Sequence, residues 1–200
     1  MRFRVPFAAL SIVVAALLLL PGYSCADSPG FDCAAARGEI ETLICSDSRL
    51  AQLDRRMTTV YEQAMQRLPA DEVRAQQATQ RGWIKGRNDC RKAADPEFCV
   101  AASYRTRLVE LQIISGQLVA PTAVGLKCSG ENGVLFAAFY NDSDPPAVVL
   151  SRGGDQVIVF RERSASGTKY AAAKVEYWEH QGKVTLKWFG ETLACVPNSR

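Results

Sequence analysis

The sequence predicts an α+β protein in two domains, an N-terminal disulfide-bonded helical bundle followed by a small antiparallel β-barrel, and three observations predict it. Apolar residues recur at three- and four-residue spacing in the first half and alternate with period two in the second. Turn-forming clusters break the second half at short intervals, the spacing of a small barrel or sandwich. Beyond the leader each half keeps an even number of cysteines, Cys33, Cys45, Cys90 and Cys99 in the first and Cys128 and Cys195 in the second.

The leader comes first. Arg2 and Arg4 precede an apolar run from Phe7 to Leu20, too short for a membrane span and of the length of a signal-peptide core. Ser24-Cys25-Ala26 supplies small residues at the cleavage positions, so residues 1–26 read as a signal peptide and the mature chain as starting at Asp27, periplasmic or secreted. A lipid anchor on Cys25 would want Leu or a similar residue three positions earlier; Gly22 stands there, and the sequence favours cleavage. Loss of Cys25 leaves six cysteines, an even set that reads as three disulfides in an exported chain. Six cysteines permit fifteen connectivities. Their clustering suggests Cys33 with Cys45, Cys90 with Cys99 and Cys128 with Cys195, and leaves the pairing of the first four open.

Residues 27–118 form the expected helical domain. Cys33 and Cys45 flank a short first helix; Leu50, Leu53, Met57, Val60, Ala64 and Leu68 line one face of a second, which Pro69 ends. A third helix from about Asp71 carries Trp83 and Ile84, and a fourth has Pro96 in its first turn and runs through Tyr104, Leu108 and Leu111 to Gly116. A linker, 119–125, contains Pro121, and the barrel domain is 126–200. Strand patterning begins near Val124. Runs at 134–140, 147–150, 156–160, 175–177 and 184–188, with a first strand near Cys128 and a last near Cys195, give about seven strands. Between them lie turn signals such as Arg152-Gly153-Gly154-Asp155, Ser166-Gly167 and Gln181-Gly182.

Composition excludes several function classes. Lys and Arg balance Asp and Glu in each half, 13 against 13 in 27–118 and 9 against 8 in 119–200, so neither half has a nucleic-acid footprint. The chain has no G-x-S-x-G elbow, no H-E-x-x-H, no phosphate-cradling glycine loop and no Cys-x-x-Cys pair, and its one histidine is His180. No enzyme, metal site or cofactor is expected.

The segment Ser164-Ala165-Ser166-Gly167-Thr168-Lys169-Tyr170, followed by Tyr177-Trp178-Glu179-His180-Gln181-Gly182-Lys183 and enclosed by Cys128 and Cys195, resembles the MliC/PliC family of c-type lysozyme inhibitors over about 126–197. That resemblance implies a small secreted β-barrel closed by Cys128–Cys195, whose S-G-x-x-Y loop and following turn enter the lysozyme cleft. Such a bridge would constrain the unfolded chain by about 4 kcal/mol. The cleft presents two acidic side chains, one of which must hold a proton. An exposed hydroxyl and a cation would satisfy both and offer no bond to cleave. The lysozyme-binding residues implied are Ser166, Gly167, Lys169, Tyr170, Trp178, His180 and Lys183. The chain departs from the pattern where relatives carry Lys two residues after Trp: His180 stands there, and Lys183, His180 or Lys169 could supply the cation.

The first half resembles the N-terminal domain of LprI-type lysozyme inhibitors, through Cys33, Cys45, Leu50-x-x-Leu53-Asp54, Tyr61, Gln80-Arg81-Gly82-Trp83-Ile84-x-x-Arg87-Asn88-x-Cys90, Cys99 and Tyr104-x-x-Arg107-Leu108. At helical spacing these residues read as packing aromatics and ion pairs, so the motif describes a fold more than a site. The reading is a periplasmic inhibitor of c-type lysozyme acting through its barrel, with the helical half available to a second envelope partner. The alternative is a non-enzymatic adapter or envelope protein-binding module that does not inhibit lysozyme.

Overall fold

The computed structural model describes residues 28–131 and 133–198; the leader, its cleavage site and Cys25 lie outside the described residues. Four helices come first: α1 (Glu39–Ser46), α2 (Ser48–Arg67), α3 (Ala70–Asn88) and α4 (Pro96–Ile114). Their ends are written in the local sequence. The Asp47 carboxylate accepts from the Arg49 and Leu50 amides at 2.8 and 3.0 Å and caps α2, and Asp95 accepts from the Phe98 amide at 2.9 Å at the start of α4, with Pro96 in its first turn. The backbone bond from Leu50 is the main reason the Asp47 pKa lies below the ordinary carboxylate value. Disulfides join Cys33 to Cys45 and Cys90 to Cys99, pinning the short first segment to α1 and the 3-10 turn Asp89–Lys92 that follows α3 to α4.

The core of this half lies between α2 and α4, where Leu50, Met57, Val60 and Ala64 face Val100, Tyr104, Leu108 and Leu111. A polar network runs through it. Asp54 is 3% exposed and Arg87 4%. The Tyr104 hydroxyl donates to Asp54 Oδ1 at 2.6 Å and accepts from Arg87 Nη1 at 2.7 Å, while the Gly30 amide donates to Asp54 Oδ2 at 2.8 Å. The Arg87 guanidinium also lies over the Trp83 and Tyr104 rings at 5.5 and 5.6 Å. Burial is the main cause of a Tyr104 pKa far above the free phenol value, so this hydroxyl stays a donor.

Eight strands follow: β1 (Val124–Cys128), β2 (Val134–Tyr140), β3 (Ala147–Arg152), β4 (Asp155–Glu162), β5 (Thr168–Ala172), β6 (Val175–His180), β7 (Lys183–Trp188) and β8 (Glu191–Pro197). All neighbours are antiparallel, and β1 pairs with β8 to close the barrel, with Cys128 opposite Cys195 and bonded to it across 67 residues. Closure leaves no open edge. Inward residues such as Leu126, Leu150, Tyr170, Tyr177, Leu186 and Trp188 fill the interior.

Two expectations are corrected. The barrel has eight strands where about seven were expected, because Thr168-Lys169-Tyr170, read as loop, begins β5. Thr-Lys-Tyr-Ala-Ala holds one large apolar residue and two alanines, a weak strand signal that becomes a strand by pairing with β4 and β6. The linker expected at 119–125 ends sooner, since Val124 and Gly125 pair with Ala137 and Phe136 as the start of β1.

Candidate functional site at the barrel rim

The β4–β5 loop and the β6–β7 hairpin emerge at the same end of the barrel, and the register of β5 on β6 sets them side by side, with Thr168 opposite Glu179 and Lys169 opposite Trp178. Two contacts lock them. Trp178 Nε1 donates to the Ser166 carbonyl at 2.9 Å. Gly167 has φ +68°, and a Cβ there would lie 2.1 Å from the Glu179 carbonyl oxygen, so both the left-handed conformation and the close approach require glycine. The Ser164 hydroxyl also donates to the Ser166 carbonyl, at 2.5 Å, which leaves the exposed Ser166 hydroxyl at the tip.

The second hairpin is tight. Gln181 and Gly182 have φ of +52° and +76°, both central positions of a two-residue turn of the twist that hairpins favour, and the Gly182 amide donates to Glu179 Oε1 at 2.9 Å. His180 and Lys183 therefore stand directly opposite each other at its base. The His180 ring stacks on Trp178 at 5.6 Å with planes 10° apart. Lys183 is exposed and makes no ion pair with any described residue.

The remaining sequence-predicted residues divide. Lys169 is held by Glu176 at 2.9 Å and Glu162 at 3.5 Å, while Glu176 also takes Lys187 at 3.0 Å. The hydrogen bond with Lys169 is the leading cause that holds the Glu176 carboxyl below its ordinary pKa, and the same bond raises that of Lys169. Tyr170 is 2% exposed: its ring points into the barrel, edge-on to Phe139 at 5.9 Å and Tyr177 at 6.2 Å, so its side chain supports the loop from within. Strand alternation sends it inward, a consequence hidden while 168–170 was read as loop. Burial pushes the neighbouring Tyr177 hydroxyl up to about 12, with the Glu179 and Tyr170 charges adding. Sequence reasoning missed Glu179, whose backbone carbonyl meets Gly167 and whose carboxylate fastens the hairpin. Its only signal was its place between Trp178 and His180. No group of three or more acidic, His or Cys residues suited to a metal occurs among the described residues.

Residues 127–194 match the family described as membrane-bound lysozyme-inhibitor of c-type lysozyme, and residues 33–117 match the family described as lysozyme inhibitor LprI. The protein is thus of the lysozyme-inhibitor class and not an enzyme. Lipoprotein LprI of Mycobacterium bovis and that of Mycobacterium tuberculosis are each 38% identical to it over 197 residues, covering 93% of this chain and 97% of theirs. The chain belongs to the LprI family. A solved structure, Pseudomonas aeruginosa MliC in complex with hen egg white lysozyme, is 26% identical, covering 38% of this chain and 80% of its own, with a TM-score of 0.34.

Proposed function

We propose that the barrel inhibits c-type lysozyme by presenting the rim formed by Ser166, Gly167, Trp178, His180 and Lys183 to the catalytic cleft. The observation that carries this reading is the Trp178 Nε1 bond to the Ser166 carbonyl, which makes one rigid surface of two motifs 12 residues apart. A hydroxyl at the tip offers a donor and an acceptor to the protonated acid, and the Lys183 ammonium offers charge to the ionised one. Lys183 is the cation of choice because Lys169 is already committed to Glu176 and Glu162. His180 occupies the position where relatives carry Lys and, through its stack on Trp178, holds that ring over the loop. A preformed rim lowers the ordering cost of binding.

The decisive experiment is a lysis assay with c-type lysozyme using the full chain, 27–118 and 119–200 separately. Inhibition by the full chain and by 119–200 supports the rim. Inhibition confined to 27–118 moves the function to the helical module. Failure of all three leaves the non-inhibitory adapter, with a second envelope partner on the helices, as the better account.

The protein acts in the cell envelope after export, cleaved after Ala26. No described helix is long and apolar enough to cross a membrane. Cysteine parity serves two maturation schemes alike, since a Cys25 thiol blocked by lipid is as unavailable for a disulfide as one removed. The relatives are named lipoproteins, and the mature N-terminus is accordingly a direct test.

A further inference from the structure

A second candidate site lies between the two halves, at the opposite end of the barrel from the rim. The outward residues of β2, β3 and β4 are unusually apolar: Ala138 and Tyr140, Val149, and Ile158 alternate with the inward Ala137, Val148 and Val159. In an ordinary solvated barrel these positions would be polar. Across from them stand Ile113 and Ile114 at the end of α4, and the walls enclose a cleft of about 610 Å³. The Arg56–Asp144 ion pair, at 3.0 Å, joins the helical half to the β2–β3 loop. Small-ligand sites are commonly about 300–1,000 Å³ and favour domain interfaces.

The lining selects the occupant. Gln156 Nε2 donates to the Ser151 hydroxyl at 3.1 Å, and Glu110 accepts from Arg107 Nη1 at 3.1 Å, so these polar groups of the wall already have partners. A peptide or glycan would bring many amides or hydroxyls into a mostly apolar cleft where the Thr106 and Tyr140 hydroxyls and Gln156 Oε1 could meet only a few of them, at a cost of about 1–3 kcal/mol for each one buried unpaired. A hydrocarbon chain carries none. At the mouth, Lys174 makes no ion pair with any described residue, and beside it Phe189 is 58% exposed with φ +48°. A bulky side chain in that conformation is a true outlier. The Phe189 amide donates to the Lys174 carbonyl at 3.0 Å, tying the two turns into one lip. We infer that this cleft binds a single-chain anionic amphiphile, a fatty acid, with the acyl chain between α4 and the outer face of β2–β4 and the carboxylate at Lys174.

The test is titration of the full-length oxidised protein with dansyl-undecanoic acid, read by the emission shift. Saturable binding of one probe per chain is expected, displaced by palmitate. Ile158→Glu places a carboxylate in the aliphatic wall and should weaken binding about tenfold or more. Ile113→Glu should do the same from the helical wall, so that a folding defect in the barrel alone could not account for both losses. Lys174→Glu should weaken binding of the acid while leaving that of the matching dansyl alcohol unchanged. All three variants should inhibit lysozyme like the parent, which separates failure of this site from failure of the rim. Non-saturable binding, or full binding by both wall variants, would overturn the assignment. So would tight binding to phospholipid vesicles with none to the monomeric acid, which would make the cleft a membrane contact.

Discussion

At the scale of single residues, the rim and the buried network respond differently to substitution. Ser166 is exposed and its side chain supports nothing else in the fold. A hydrogen bond to an ionised group contributes about 1.5–3 kcal/mol, so Ser166→Ala should weaken lysozyme inhibition about ten- to a hundredfold with an unchanged melting temperature. Lys183→Ala should weaken it as well, while Lys169→Ala should act mainly on stability by releasing Glu176; inhibition constants set against melting curves decide between the two lysines. Asp54→Ala has no such separation. It strands the Arg87 guanidinium in the core, and removing one member of a buried pair costs about 3–5 kcal/mol, a loss that urea unfolding of the helical module should show. The motif around Trp83 and Arg87 was legible as structural from its helical spacing, yet the partners Asp54 and Tyr104 lie on other helices and could be joined to it only by folding.

Elements explain why the rim holds its shape. Strands β4 to β7 carry an outward charge ladder, Glu162, Lys169, Glu176 and Lys187, beside the Trp178 and Ser166 contact. Glu176 has a folded-state pKa below its ordinary value of 4.5. A depressed carboxylate contributes stability that is fully present above the unfolded pKa and is lost as pH falls through the folded one. The barrel should therefore lose stability as pH falls below 4.5, and Glu176→Gln should flatten that slope; denaturant unfolding at several pH values measures it. At the loop, Gly167→Ala meets both the +68° φ and the Glu179 carbonyl 2.1 Å away. It should part the loop from the hairpin and reduce inhibition more than Ser166→Ala does, with loss of Trp178 fluorescence change on lysozyme binding as the second readout.

For the whole molecule, each half has its own core and its own disulfides. Fragments 27–118 and 119–200 should both fold alone under oxidising conditions, seen by circular dichroism and cooperative unfolding. An unfolded 119–200 beside a folded full chain would sink the two-unit reading. The apolar outer face of β2–β4 adds an expectation: 119–200 should self-associate with concentration in sedimentation more than the full chain, which places α4 over that face. Intact mass should show a mature start at Asp27 with no lipid; a diacylglyceryl adduct on Cys25 would instead join this protein to the lipoproteins it resembles.

The sequence by itself determined the two-domain order, the stop at Pro69, the start near Pro96 and the Gln181-Gly182 turn, because each of these depends on neighbours within a few residues. It also named both rim motifs. Only the tertiary structure decided which of their residues are exposed and which are buried, because that is set by strand register. Pairing Tyr170 with Tyr177 turns both rings into the core, and pairing Lys169 with Trp178 puts that lysine within reach of Glu176. The same register leaves Ser166 and Lys183 exposed at one end, and no spacing along the chain could show it.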